Sequence, residues 1–411
     1  MTFASITRPS LGSLLGQARA RTDSLFGLIR PSALYHRPVP ERHRIIFYLG
    51  HLEAFDWNLI ANALALPSFH AAFDRLFAFG IDPEPGRLPH DSASDWPTVA
   101  EVRRYNARVR HTLDALLDEI PEFLLHVAIE HRFMHAETFA YLLHNLPFDH
   151  KVVPAQSPSV QAPDPLHGMI EIPAGSATLG RSPHDISHGW PFGWDNEYGV
   201  HSMAVPAFAM STYKVTNGQY LEFVRAGAAA PYHWMQRDND WYWNTMFGEV
   251  PLPLDWPVYV THREACAYAA WSGTSLPTEA QFHRAAYGTP SGNERAYPWG
   301  DTPPDDSRGN FNFRSWDPIP VSASPHTDSA FGLSQLVGNG WEWTSTIFHP
   351  FSGFQPFPFY PGYSAPFFDG EHYVMKGGSS QTASCLLRRS FRNWFRSDYR
   401  YAYAGFRVVQ N

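Results

Sequence analysis

The chain has 411 residues, 44% of them hydrophobic and 17% charged, so it is long enough for two or three domains with sizeable cores. A formal net charge of -8 and the lack of a Lys/Arg run argue against nucleic acid and an anionic membrane surface as partners. Two cysteines are too few for a disulfide framework, and no apolar run of about 18 residues predicts a membrane span, so a cytoplasmic protein is expected.

Up to about residue 146, apolar residues recur at spacings of three and four, which is typical of amphipathic helices. Thr98 and Glu101 have the spacing of a capping box at the start of the third helical segment. Long helices with apolar stripes pack most simply as a bundle, so a four-helix bundle is predicted. The four segments cover residues 11–30, 44–65, 98–120 and 122–146.

The character of the sequence changes between residues 147 and 168, where prolines and polar residues occur without periodicity. We therefore expect a bundle over residues 1–150, a linker over 151–168 and a second domain over 169–411. That domain contains short β-like runs, Gly/Pro/Asn turns and many tryptophans, which predict an irregular α+β fold stabilised by aromatic packing. Short helices are predicted at 216–226, 261–272 and 278–287.

The fourth helical segment carries the stretch HVAIEHRFMHAETF, residues 126–139, which is rich in histidine. His131 and His135 lie about 40° apart on a helix, so they can bind one ion together. Glu137 lies about 200° from His135 and is excluded as a third ligand, since its neighbours on the helix are His126 and His144.

A third ligand must come from another helix, and the second segment offers His51. The adjacent Gly50 lets another element approach closely. Glu53 and Asp56 are competing candidates, and ordinary core or surface histidines are the alternative interpretation of the whole set. Three neutral imidazoles leave a divalent ion with its charge and with open coordination positions, which suits zinc or a redox metal that binds a thiolate and O2.

Five blocks of the second domain resemble, in one order, the formylglycine-generating-enzyme-like domain, whose fold is related to that of C-type lectins. The blocks are FGWDNEYGVHSMAVPAFAMSTYKVTNGQYLEFV (192–224), SLPTEAQFHRAA (275–286), AYPWGD (296–301), GLSQLVGNGWEWTST (332–346) and RRSFRNWF…YAGFRVV (388–409).

A DinB-like bundle that carries His-x3-His-x-Glu before such a domain resembles the sulfoxide synthases of ergothioneine biosynthesis. The resemblance covers nearly the whole chain. It implies an Fe(II) enzyme that uses O2 to join the sulfur of cysteine or γ-glutamylcysteine to the imidazole C2 of hercynine. By residue matching, the family's iron ligands correspond to His51, His131 and His135.

The same resemblance implies roles for two further residues. Tyr360, in YPGYSAPFFDG, occupies the place of a tyrosine that donates a proton or hydrogen atom in some members, and a phenol suits that role. Tyr363 is its neighbouring rival. Arg87, in PEPGRLPH, matches by position a carboxylate clamp, since its planar guanidinium can bind a carboxylate through two hydrogen bonds.

The segment FRNWF matches the substrate pocket of the family, so Asn393 and Trp394 are candidates for contact with hercynine, whose trimethylammonium group suits aromatic faces. Branches that use γ-glutamylcysteine can carry an acid directly after this Asn-Trp pair. Phe395 stands there in this chain, which favours free cysteine. Met134 replaces a Gln that contacts hercynine in relatives, so the imidazole substrate is held differently or is a different one.

Related chemistries remain alternatives: selenium transfer to hercynine, or addition of cysteine to histidine as in ovothiol biosynthesis. A lectin-like binding protein without catalysis is the alternative of another class. Formylglycine-generating activity is not expected, because that activity needs a local cysteine pair and Cys266 and Cys385 lie far apart in the sequence.

Overall fold

A computed structural model of the chain describes residues 10–78, 89–154, 160–183 and 191–411. The chain divides into two compact units, Met1–Gln156 and Ser157–Asn411, and each is described by itself. In the described ranges, no helix is long and apolar enough to cross a membrane.

The first unit is helical. The predicted long helices are present: α1 pairs with α5, and α2 contacts α3, α4 and α5. The Thr98–Glu101 capping box that starts α4 is also confirmed. Its helices are α1 (Leu11–Gly27), α2 (Ile45–Ala63), α3 (Ala71–Leu76), α4 (Val99–Ala115) and α5 (Glu122–His144).

Two details of the first unit differ from the sequence prediction. The four long helices are accompanied by a short helix, α3, which follows α2 and which periodicity did not indicate because it is only six residues long. α4 ends at Ala115 and not near residue 120. Asp118 and Glu119 disfavour a longer helix because their negative charges are repelled by the negative C-terminal end of the helix dipole. Pro121 disfavours the helical backbone conformation at the preceding residue, Ile120.

Helices α2 and α5 form the interior of this unit. Nearly every residue of α2 from Ile45 to Ala61 is buried, as is every residue of α5 from Leu124 to Arg132. A helix that is apolar on all sides is stable only when it is enclosed by other elements. The histidines of these two helices are therefore buried by the architecture of the unit.

The second unit combines small sheets with short helices, as the sequence predicts for an α+β domain. Its sheets have the strand orders β1-β4-β12, β10-β9-β8-β11, β2-β3 and β5-β6-β7, and all pairs are antiparallel except β11 with β8. The strands are β1 (Met169–Ile172), β2 (Gly175–Leu179), β3 (His201–Val205), β4 (Phe208–Ser211), β5 (Trp234–Arg237), β6 (Asp240–Asn244), β7 (Glu249–Pro251), β8 (Trp341–Ile347), β9 (His372–Lys376), β10 (Asn393–Arg396), β11 (Ala404–Gly405) and β12 (Val409–Gln410).

The three predicted short helices are confirmed as α6 (Asn217–Arg225), α7 (His262–Trp271) and α8 (Glu279–Tyr287). Each starts after a threonine whose side chain accepts a hydrogen bond from the backbone N–H three residues later, and each has Gln or Glu at that position, which completes a capping box. Aromatic packing also stabilises this unit as predicted: Trp194, Trp243 and Trp343 are fully buried.

Candidate metal centre

Three histidines from two helices meet in the first unit. His51 of α2 and His131 and His135 of α5 are all buried, and each offers a ring nitrogen within 4.8 Å of the others. Their ring centroids lie 4.8 Å apart for His51 and His135, 5.4 Å for His51 and His131, and 4.4 Å for the two on α5. The structure thus brings together the three residues that the sequence singled out as ligands.

The ring of His51 has a defined protonation state. Its Nδ1 lies 2.6 Å from the backbone carbonyl oxygen of Phe77, and because a carbonyl can only accept, Nδ1 carries the proton. Nε2 is buried and makes no hydrogen bond to any described residue. The lone pair of Nε2 is therefore available to a metal ion.

The two histidines on α5 lie four residues apart, on one face of the helix, as the wheel predicts. The ring of His131 stacks on Phe55, with a centroid distance of 3.4 Å and an interplanar angle of 11°. Nδ1 of His135 is buried and has no hydrogen-bond partner in the described ranges. Aromatic packing thus holds the His131 ring.

Burial keeps all three imidazoles neutral. Loss of solvation lowers the pKa of His51 to about 4, although the Phe77 carbonyl partly opposes this shift. Burial also lowers the pKa of His131 and of His135 well below 6.5, and the neighbouring histidines add to the effect. Neutral imidazole is the form that binds metals, so these rings need no deprotonation at pH 7.

The competing ligand candidates Glu53 and Asp56 are engaged elsewhere. The guanidinium of Arg132, fully buried, donates to Glu53 at 2.9 and 3.0 Å and to Asp56 at 2.6 Å. Arg110 also donates to Glu53, at 2.6 and 2.8 Å. Glu137 is half-buried, and neither it nor these two acids belongs to the cluster found among the described residues.

These residues fit a divalent transition metal. Three imidazole nitrogens that converge within 4.8 Å can share an ion at the usual metal–nitrogen distance of about 2.0–2.1 Å after small ring movements. Imidazole suits iron, zinc and copper. The buried, unbonded Nε2 of His51 is a polar atom that native proteins rarely leave without a partner, which supports the fit.

Tyr360 and Tyr363 lie in one loop of the second unit but in different surroundings. Tyr363 is buried and stacks on Trp194 at 4.1 Å, and the hydroxyl of the adjacent Ser364 donates to Asp195 at 2.5 Å. Tyr360 is half-buried, with its ring 5.6 Å from that of Tyr363. Tyr360 is thus the more accessible phenol of the two.

The candidates on β10 point to two faces of the sheet, because side chains alternate along a strand. Trp394 stacks on Phe348 with a centroid distance of 4.3 Å. Asn393 accepts a hydrogen bond from the backbone N–H of Trp394 at 2.9 Å. Phe395, on the same face as Asn393, stacks on Tyr399 at 4.5 Å. The strand therefore does not direct Asn393 and Trp394 to one side.

Four more residues concern the site: the sequence singled out Met134 and Arg87, and it did not single out Phe77 and Arg132. Met134 is half-buried on α5, next to His135, whereas Arg87 lies outside the described residues. Sequence reasoning missed Phe77, whose carbonyl binds His51, and the buried Arg132. An arginine inside an apolar helix was the available signal for Arg132.

Two family matches cover most of the chain. The sulfatase-modifying factor enzyme 1-like domain matches residues 155–411, and the DinB superfamily matches residues 14–144. Cys266 and Cys385, both among the described residues, do not form a disulfide with each other.

The chain is also similar to proteins of known name. It is 35% identical over 343 residues to a hercynine oxygenase of Mycolicibacterium thermoresistibile, covering 75% of this chain and 74% of that protein. It is 29% identical, over an alignment of 485 positions, to ergothioneine biosynthesis protein 1 of Neurospora crassa, covering 92% of this chain and 55% of the fungal protein. A formylglycine-generating enzyme of Mycobacterium tuberculosis is 29% identical over an alignment of 247 positions that covers 46% of this chain and 78% of that protein. From the two domain matches and the relative at 35% identity, we conclude that the chain belongs to the sulfoxide synthase family of ergothioneine biosynthesis.

Proposed function

We propose that this protein is a non-haem Fe(II) sulfoxide synthase that uses O2 to join the sulfur of cysteine to the imidazole C2 of hercynine. The proposal rests mainly on one observation: the buried cluster of His51, His131 and His135 in a chain of this family. The reaction balances as thiol plus imidazole C–H plus O2, giving a sulfoxide and water. One oxygen atom goes to sulfur and the other leaves as water with the thiol and C2 hydrogens.

We assign the metal to the three histidines. Bound iron supplies the redox chemistry with O2 that neither an imidazole nor a thiol can provide. The three rings are neutral and bring no negative charge, so the site favours an anionic thiolate as a further ligand. Holding sulfur and imidazole side by side supplies the proximity that C–S bond formation needs.

We assign hydrogen or proton donation to Tyr360. Its phenol is more accessible than that of Tyr363, which stacks on Trp194. A phenol can give a proton or a hydrogen atom and can still accept a hydrogen bond afterwards. Replacement by phenylalanine removes only the hydroxyl, so Tyr360→Phe tests this role with the packing of the ring preserved.

We assign contact with hercynine to Trp394 and not to Asn393, because the two side chains lie on opposite faces of β10. Trp394 lies in a group of aromatic rings with Phe348 and Tyr363, and such faces attract a trimethylammonium cation. Arg87 is assigned to a substrate carboxylate and Met134 to the hercynine side. These residues orient the substrates, and the aromatic rings exclude water from them.

Free cysteine as the sulfur donor is supported by Phe395. The side chain stacks on Tyr399 at 4.5 Å, so an apolar ring pair occupies the position of the acid found in γ-glutamylcysteine-using branches. An ammonium group next to two apolar rings lacks the ionic partner that an acid provides.

Product mass tests the proposal. The protein is loaded with Fe(II) without air, and O2 is then admitted with hercynine and equal amounts of cysteine and γ-glutamylcysteine. Parallel reactions contain histidine with cysteine, and hercynine with a selenosugar. We expect the cysteine–hercynine sulfoxide as the main product. A main product from either parallel reaction moves the assignment to the ovothiol-type or the selenium-transfer alternative.

A pair of histidine variants links the product to the cluster. The His135→Ala protein is expected to lose both iron binding and sulfoxide formation. The control is His111→Ala, which replaces an exposed histidine on α4 and is expected to keep both activities. If the His135→Ala protein binds iron as tightly as the wild type, the ligand assignment is wrong. If iron-loaded wild type forms no C–S or C–Se product, a lectin-like binding protein becomes the better interpretation.

A further inference from the structure

We propose that Gly50 and Phe77 form a positioning pair, which holds the His51 ring with Nδ1 protonated and Nε2 directed at the metal. The inference rests on the metal site of the proposed function and goes beyond it, because neither residue is a ligand. The assigned role is one of orientation: the pair acts through His51 and touches neither substrate nor metal.

The first observation is the hydrogen bond from Nδ1 of His51 to the carbonyl oxygen of Phe77, at 2.6 Å. A neutral imidazole carries one proton, and this bond keeps the proton on Nδ1. Nε2 is then the ring nitrogen with a free lone pair, and it is the buried atom without a hydrogen bond to the described residues. Loss of the Phe77 bond removes the preference between the two tautomers and the restraint on ring rotation.

The second observation is the close approach of Phe77 to Gly50. A Cβ atom added at Gly50 meets three atoms of the Phe77 ring at 2.5–2.6 Å, closer than real Cβ contacts come. Phe77 itself is fully buried. Glycine at position 50 is therefore what allows Phe77, and with it the carbonyl, to lie against α2 beside His51.

The third observation is that the Phe77 segment is anchored from several directions. Asp74, one turn earlier, accepts a hydrogen bond from the Tyr105 hydroxyl at 2.7 Å, and its carbonyl accepts one from the Asn58 side chain at 2.9 Å. The Phe77 ring also packs against Trp96 at 6.1 Å. The carbonyl is thus held in place by the contacts of α3 and of the Phe77 ring, so it can determine the direction of the His51 ring.

The pair predicts a defined effect of adding one methyl group. In Gly50→Ala, the new Cβ displaces the Phe77 ring and its carbonyl, and the His51 hydrogen bond lengthens or breaks. Loss of a group that is hydrogen-bonded to a metal ligand typically lowers metal affinity by about 10–100-fold. We expect a decrease of that size in the affinity for Co²⁺, measured with the full-length apoprotein by competition with a chelator.

Two further variants separate positioning from folding. Gly16→Ala makes the same change in helix α1, where an added Cβ meets nothing within 4 Å, and it should bind Co²⁺ like the wild type. Gly50→Ala combined with Phe77→Leu keeps the methyl group but shortens the side chain that it displaces. This double variant should regain most of the lost affinity. Failure of the rescue, in a double variant with wild-type helical content, overturns the proposal.

A direct readout observes the ring nitrogens of His51 in the wild-type protein. In ¹⁵N-histidine-labelled apoprotein, NMR shifts distinguish a protonated from an unprotonated ring nitrogen, and a His51→Gln spectrum assigns the His51 signals. We expect a protonated Nδ1 that exchanges slowly with solvent, and in folded Gly50→Ala a mixture of tautomers with faster exchange. A His51 ring protonated on Nε2 in the wild type overturns the proposal.

The outcomes separate this inference from the proposed function. If the wild type binds neither Co²⁺ nor Fe(II), the metal site fails and the positioning pair fails with it. If the wild type binds Co²⁺ and Gly50→Ala binds it equally tightly, only the positioning pair is wrong. If Gly50→Ala loses Co²⁺ affinity but the wild type forms no sulfoxide, the pair stands and the assigned reaction does not.

Discussion

Two buried clusters, one in each unit of this protein, differ in how their polar atoms are satisfied. In the second unit, buried charges have partners: Glu342 accepts two hydrogen bonds from Arg407 at 3.0 and 3.1 Å and forms an ion pair with Lys214 at 3.0 Å. In the first unit, Nε2 of His51 and Nδ1 of His135 are buried with no hydrogen bond to the described residues.

The presence or absence of a hydrogen-bond partner distinguishes buried polar groups that stabilise the fold from those that serve a function. A buried polar atom without a partner costs free energy, so it persists only where another requirement maintains it. Metal binding is such a requirement. The same contrast occurs within α2, where Glu53 and Asp56 bind Arg132 while His51, two residues before Glu53, faces the other histidines. If the contrast is energetic as well as geometric, substitutions in the two clusters should change stability in opposite directions.

The largest loss of stability is expected when the buried ion pair between Arg388 and Glu197 is broken. Arg388→Met leaves the buried Glu197 without its guanidinium partner, and removal of one member of a buried ion pair typically costs about 3–5 kcal/mol. Urea unfolding of the second unit, followed by tryptophan fluorescence, measures the loss. Adding Glu197→Gln should recover part of it, because an amide needs no counter-charge and Ser390 and the Trp194 N–H remain as partners. A loss below about 1 kcal/mol for Arg388→Met contradicts the assigned structural role.

The second largest effect is expected in the dependence of the free energy of unfolding on pH. Burial lowers the pKa of Lys214, and of Lys376, to about 8 although neighbouring acids oppose the shift. Between pH 8 and the unfolded pKa near 10.4, the unfolded chain binds more protons than the folded chain, so the free energy of unfolding rises with pH. From pH 7.5 to 9.5 we expect a rise on the order of 1–2 kcal/mol per lysine.

Lys214→Met serves as the control for this titration. In this variant the free energy of unfolding should still rise with pH, but only by the amount that Lys376 contributes. A rise of unchanged size in the variant, or a fall in stability over the same pH range in the wild type, means that the two lysines do not titrate as their burial requires.

A smaller effect, opposite in sign to that of Arg388→Met, is expected at the histidine cluster. His135→Leu replaces a ring whose buried Nδ1 has no hydrogen-bond partner among the described residues, so the apoprotein should gain about 1–2 kcal/mol of stability while losing metal affinity. His262→Leu is the matched change in the second unit, where Nε2 lies 3.1 Å from the carbonyl oxygen of Thr344. That variant should lose about 1 kcal/mol, since the carbonyl is left unsatisfied. Thermal unfolding of the metal-free proteins compares them, and equal losses would remove the energetic contrast.

Much of the fold could be predicted from the sequence because its signals are local. Three- and four-residue periodicity indicates the long helices, and the threonine capping boxes mark the start of α6, α7 and α8. The six-residue α3 carries too little periodicity to be recognised. Its absence from the prediction also hid the contact between Phe77 and His51.

The candidate site could be predicted only where one helix carries it. The spacing of His131 and His135 places them together on any regular helix. The choice among His51, Glu53 and Asp56 depends on which acids pair with Arg132. That pairing is a contact between two helices, and residue spacing in the sequence does not predict it. The surroundings of Tyr360 and Phe395 are likewise set by contacts between loops and strands far apart in the sequence.

The smallest effect is expected for the choice of sulfur donor at Phe395. Phe395→Asp places a carboxylate where γ-glutamylcysteine-using relatives carry an acid, and a hydrogen bond to a charged group contributes about 1.5 kcal/mol. The ratio of kcat/KM for γ-glutamylcysteine to that for cysteine should therefore rise about 10-fold. Phe395→Leu also removes the stack on Tyr399 but adds no charge, so it should leave that ratio unchanged. If both variants shift the ratio equally, the aromatic stack excludes the larger thiol by its shape; if neither does, donor choice lies elsewhere in the protein.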